Sequence, residues 1–219
     1  MTKDQQAIIQ KTAEFVKEEL KDAEGGHDWW HILRVWNNAK HIGKDEGVDM
    51  FVVELGALLH DIADQKFHNG DEEIGPATAR KFLASLNLDE EVIEHVENIV
   101  KYVSYKNRFE EKKWSSPELA VVQDADKLDA LGAIGIGRTF VYGGHKNRPM
   151  WNPEKPPRIF RNKEDYKNND SSTINHFHEK LLLLKDLMNT KSGKETATGR
   201  HKYMEDFLEQ FYAEWDGKR

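Results

Sequence analysis

The sequence predicts an all-α protein. Apolar residues recur at helical spacing almost throughout, no segment shows a convincing period of two, and good capping residues stand before several of the apolar stretches. Ile8, Ile9, Phe15, Val16 and Leu20 mark a first helix. A second runs from about Asp28, a good N-cap, to about Asp45, with Gly47 just beyond. Asp49 caps a third, Met50 to about Ala63, whose interior FVVELGALLH is apolar on nearly every side, as in a helix buried centrally. Pro76 suits the first turn of a fourth helix that runs to Leu86. Asp89 caps a fifth, rich in Val and Ile, to about Val103. Ser116-Pro117 starts a sixth, followed by an apolar stretch that Gly132, Gly135 and Gly137 interrupt. Two late helices, Ser172 to Met188 and about Glu195 to Trp215, close the chain. Trp29, Trp30 and Trp36 read as core residues rather than a stacking platform.

Composition bounds the function. The chain has 219 residues, within reach of one domain over 1–219 and long enough to bury a core unaided. It has no cysteine, which excludes disulfides, zinc fingers, iron–sulfur clusters and thiol nucleophiles. The longest apolar runs fall far short of a membrane span, and MTKDQQAIIQ lacks a signal's apolar stretch. A soluble, cytoplasmic protein is expected. A net charge of -7 argues against a dedicated nucleic-acid binder.

That average conceals two unlike parts. From Tyr142 to Lys163 the chain carries four prolines and no helical pattern, and so long a loop is often functional. Between Arg138 and Lys163, seven basic residues face Glu154 alone, a local +6 that leaves -13 for the remainder. Such a loop reads either as a solvated surface or as a lid recruiting a polyanion.

The chemistry concentrates elsewhere. His60-Asp61 ends the most hydrophobic helix, where both side chains are costly to bury unless something satisfies them. His31 lies on the preceding helix and Asp126 on the sixth. Imidazole and carboxylate are good ligands for divalent transition metals, and helical bundles build metal sites from facing helices. Taken singly, each residue also fits a satisfied core or surface position.

The phrases HDWWHILRVWNNA, LGALLHDIAD and VQDADKLDALGAIGIGR resemble the HD-domain superfamily of metal-dependent phosphohydrolases, with its H…HD…D signature. The C-terminal TATGRHKYMEDFLEQFYAEW resembles the stand-alone bacterial YpgQ/YedJ-like branch. The resemblance spans a core motif region 26–138, the basic loop 142–163 and C-terminal helices 170–216. It implies that His31, His60, Asp61 and Asp126 hold one divalent transition metal: manganese first, with iron, cobalt, nickel or zinc as alternatives. His27 reads as a helix-start residue or an outer partner of the site. Binuclear relatives carry further histidines where this chain has IVKYVSYK, which points to one metal rather than two.

Asp64, three residues after Asp61, is the candidate group to orient or deprotonate the attacking water, with a solvated helix-end acid as the alternative. Arg34, Lys66, Lys106, Lys127, Arg138 and Arg148 are candidate phosphate contacts, and Lys101 is plausible beside them. Asp129 reads as an outer partner of the site or a helix pair with a lysine. No GxxxxGK[ST] is present, so phosphate is not held in a P-loop. The resemblance implies pyrophosphohydrolysis of nucleoside triphosphates to a monophosphate and pyrophosphate. Rivals are a 5′-nucleotidase, a dNTP triphosphohydrolase, a phosphodiesterase and a non-enzymatic nucleotide-sensing or nucleic-acid-binding module. The expected partner is a small phosphorylated molecule, and a homo-oligomer is left open.

Overall fold

The structure is a computed structural model that describes residues 1–21, 28–63, 73–104, 114–159 and 171–219. The described residues form α1 (Lys3–Glu19), α2 (Trp29–Gly43), α3 (Met50–Leu59), α4 (Ile74–Ser85), α5 (Glu90–Tyr102), α6 (Pro117–Asp129), α7 (Gly132–His145), α8 (Thr173–Glu179), a 3₁₀ helix (Leu181–Leu187) and α9 (Lys191–Trp215), with no strand among them. The all-α prediction holds. None of these helices is long and apolar enough to cross a membrane. The chain divides into two compact units, Met1–Asp126 and Lys127–Arg219, with the division falling inside α6.

The first unit is organised around α3. Every residue from Phe51 to Leu59 is buried, so the helix must be covered on all sides. Coverage comes from α1, α2 and α5, while α4 packs on α5. α1 starts at a capping box in which the Thr2 hydroxyl accepts from the Gln5 amide and the Gln5 side chain accepts from the Thr2 amide. Its buried face is Ile9, Ala13 and Val16. A close approach is made at Gly56, where an added Cβ would meet Ile99 Cγ2 of α5 at 2.9 Å. Leu55, Leu58 and Leu59 have no exposed surface, and each such burial contributes about 2 kcal/mol. Trp30 departs from the expected core placement. It is 62% exposed, because it sits one position off the inward face that His31, Ile32 and Val35 occupy.

The second unit corrects several expected boundaries. Gly132 takes φ +70 at the start of α7, and the helix then runs unbroken through Gly135 and Gly137 to His145. The loop therefore begins after His145 rather than at Tyr142. Its described part, residues 146–159, is pinned rather than free. The Pro149 and Met150 carbonyls accept from the Thr173 and Ile174 amides in the first turn of α8, and Lys155 O accepts from Asn175 Nδ2. Buried Glu179 accepts from the Arg158 amide and from the Ser171 hydroxyl. Trp151 packs against Phe211, Tyr212 and Trp215 of α9. The helix expected from Ser172 to Met188 breaks at Lys180, whose φ/ψ of -141/-57 lies outside the helical region, and continues as a 3₁₀ helix. The last helix starts at Lys191 instead of Glu195 because Thr190 caps it, accepting from the Gly193 amide.

Candidate metal centre

Three helices of the first unit deliver the four predicted ligands. Asp28 caps α2 by accepting from the His31 amide at 2.9 Å, which fixes His31 in the first turn of that helix. α3 ends at Leu59, so His60 and Asp61 stand at its C-terminus. Asp126 lies in the last turn of α6.

These residues converge. His31 Nε2 and His60 Nε2 are 3.3 Å apart. Asp61 Oδ2 lies 3.5 Å from His31 Nε2 and 3.6 Å from His60 Nε2. Asp126 Oδ1 lies 3.6 Å and 4.0 Å from the same two nitrogens. Ligand atoms held about 2.1 Å from one ion stand about 3.0 Å apart at right angles and about 3.4 Å apart in a tetrahedron. Among the described residues, His31, His60 and Asp126 place ligand atoms within 4.8 Å of one another, a group able to hold a metal ion, and Asp61 stands beside both histidines. Both histidines are buried, whereas Asp61 and Asp126 keep partial exposure, so one side of the cluster faces solvent.

The orientation of His60 follows from the end of α3. A helix leaves its last carbonyls without intrahelical partners. One of these, Ala57 O, lies 2.9 Å from His60 Nδ1. A carbonyl only accepts, so Nδ1 carries the proton and Nε2 presents its lone pair to the cluster. The partial negative charge at that helix end, added to two carboxylates, favours a cation at this point. The donor set therefore fits a divalent transition metal.

The other predicted site residues fall in two groups. Asp64, Lys66, Lys106 and His27 lie outside the described residues. Arg34 is on α2, one turn after His31 and partly exposed. Lys101 forms an ion pair with Glu73 at 2.8 Å. In the second unit, Lys127 donates to the Leu187 carbonyl, and Arg138 forms a 2.6 Å ion pair with buried Asp129. Asp129 thus pairs with an arginine. Lys146 and Arg148 lie over the Tyr142 ring, at 5.8 and 5.6 Å from its centroid.

Sequence reasoning passed over the Ala57 carbonyl, which no side-chain pattern marks. It also passed over Glu54, although a single acid inside FVVELGALLH was a visible signal.

The HD-domain family model matches residues 29–131, which contain all four predicted ligands. The chain belongs to the HD-domain superfamily, as a hydrolase of that superfamily. It is similar to the protein YpgQ of Bacillus subtilis, 35% identical over 197 residues covering 90% of this chain and 88% of that one. An HD-superfamily hydrolase from Bacillus thuringiensis is 44% identical, with a TM-score of 0.77 over 97% of this chain and 98% of the other. The crystal structure of B. subtilis YpgQ in complex with ADP matches with a TM-score of 0.77 at 31% identity, covering 96% of each chain.

Proposed function

We propose that this chain is a cytoplasmic, metal-dependent nucleotide phosphohydrolase that converts nucleoside or deoxynucleoside triphosphates to a monophosphate and pyrophosphate. The observation that carries the reading is the convergence of His31, His60, Asp61 and Asp126 within 4.0 Å, pair by pair where imidazole meets carboxylate. These four would hold one divalent ion, manganese first. When bound, such an ion polarises a phosphoryl oxygen and lowers the pKa of water toward neutrality. The ADP complex of YpgQ supports a nucleotide as the ligand of this chain too.

Each residue then has a definite task. The His60 Nδ1–H bond to Ala57 O keeps the imidazole in its ligating tautomer. Asp64 accepts the proton of the water that attacks the α-phosphorus, and the pyrophosphate leaves with its electron pair. Arg34, Lys66 and Lys106 balance charge that builds on the phosphoryl oxygens. Lys127, Arg138 and Arg148 belong to the second unit, and their contact with phosphate is a matter for substitution.

The test is product identification by mass across NTPs and dNTPs with manganese in ¹⁸O water. Pyrophosphate should appear in equal amount to a monophosphate carrying the label. Orthophosphate alone would place the cut at an outer phosphorus and reject this version, and inorganic triphosphate would place the cut at the sugar side. No turnover of any nucleotide would remove the reading.

A further inference from the structure

We propose that Glu54, Asn38 and Glu118 are positioning residues for the metal centre, setting the register of its three ligand-bearing helices before any ion arrives. The inference rests on the metal reading above and concerns how the ligands are held.

The site draws on α2, α3 and α6, and a one-residue slip of any helix moves its side chains by about 1.5 Å and turns them by about 100°. A ligand set tolerates displacements of only about 0.5 Å. Ile32, Val35, Leu58 and Val122 on these helices are fully buried, yet apolar contact is non-directional and fixes sliding poorly. Direction comes from three polar cross-links. Trp36 Nε1 on α2 donates to Glu54 Oε2 on α3 at 2.7 Å. Asn38 Nδ2 on α2 donates to the carbonyl of Ala125 on α6 at 3.3 Å, and Ala125 immediately precedes Asp126. The Asp49 amide, at the N-cap of α3, donates to Glu118 Oε1 on α6 at 3.0 Å. Each pair among the three helices is thereby joined.

The placement is regular as well. Asn38 lies two turns from His31, Glu54 nearly two turns from His60, and Glu118 about two turns from Asp126. Each link is thus far enough from the ion not to touch it and near enough to transmit a shift along a rigid helix. Glu54 and Glu118 are only 5% and 9% exposed. Burying a carboxylate is unfavourable compared with an apolar residue of similar size, so stability alone does not account for either. His95 completes the arrangement around Glu118, with Nε2 3.4 Å from Glu118 Oε2 and 2.9 Å from the Ser116 hydroxyl.

The experiment measures Mn²⁺ affinity by calorimetry and the metal-free melting temperature for each variant. Trp36→Phe, Asn38→Ala and Glu118→Leu, one for each cross-link, should each weaken metal binding on the order of tenfold. Glu54→Gln keeps an acceptor oxygen and should retain nearly wild-type affinity. Leu83→Ala, at a fully buried site on α4, should lower the melting temperature without changing affinity. Asn38 is partly exposed, so its alanine variant keeps the question answerable if Trp36→Phe does not fold. Unchanged affinity in all three register variants, or equal weakening in Leu83→Ala, overturns the proposal. A wild-type chain that binds no metal overturns the metal reading instead.

Discussion

His176 offers a pH dependence whose size follows from its surroundings. Its Nδ1 is buried without a hydrogen-bond partner. Burial, reinforced by the nearby Lys180 and Arg148 charges, pushes its pKa down to about 3. In the unfolded chain the imidazole titrates near 6.5. Above that pH both states are neutral and the group contributes nothing. Between 6.5 and 3 only the unfolded state binds the proton, so stability falls as pH falls. From pH 7 to pH 5 the loss is about 2 kcal/mol, a melting-temperature drop of about 4–8 °C for a chain of this length. Other titrating groups add their own slopes, so the quantity to measure is the difference between wild type and His176→Leu. Thermal unfolding by far-UV circular dichroism at pH 7 and pH 5 provides it. The wild type should lose about 2 kcal/mol more than the variant. Arg148→Met should shrink that excess by removing one of the two charges. Parallel pH dependences in wild type and His176→Leu would refute the reasoning.

Two further outcomes are expected. Manganese at a hundred times its dissociation constant should stabilise the wild type by about 2.7 kcal/mol, raising the melting temperature by about 5–10 °C, with reversal by chelator. His60→Ala should show no such shift in a thermal melt with and without metal. Asp129→Asn should cost about 3 kcal/mol, because buried Asp129 neutralises Arg138 at 2.6 Å and opposes the burial that lowers the Arg200 pKa. Denaturant unfolding measures this, and a loss below about 1 kcal/mol would show the cluster is not held by that charge.

The candidate ligands and most helices were legible for a shared reason. Helical periodicity, N-caps such as Asp28, Asp49 and Ser172, and the H…HD…D wording are properties of short stretches of chain. A resemblance carried on those stretches points to the same atoms that converge in the first unit. The basic loop was less legible. Its charge and prolines are local facts, but its anchoring depends on Glu179 and Asn175, which lie about twenty residues away. The break at Lys180 was similarly hidden, since LLLLKDL is apolar enough for either helix type.

An all-α chain, its superfamily and four candidate metal ligands were readable from residue type and spacing, because those are properties of the linear chain. Only the tertiary structure decided which nitrogen of His60 faces the ligand cluster, through a carbonyl left open where α3 stops. It also decided that Arg138 serves Asp129, and that Trp36, Asn38 and Asp49 tie α2, α3 and α6 to one another. Those outcomes depend on distances between residues far apart in the chain, and a linear pattern carries no such distances.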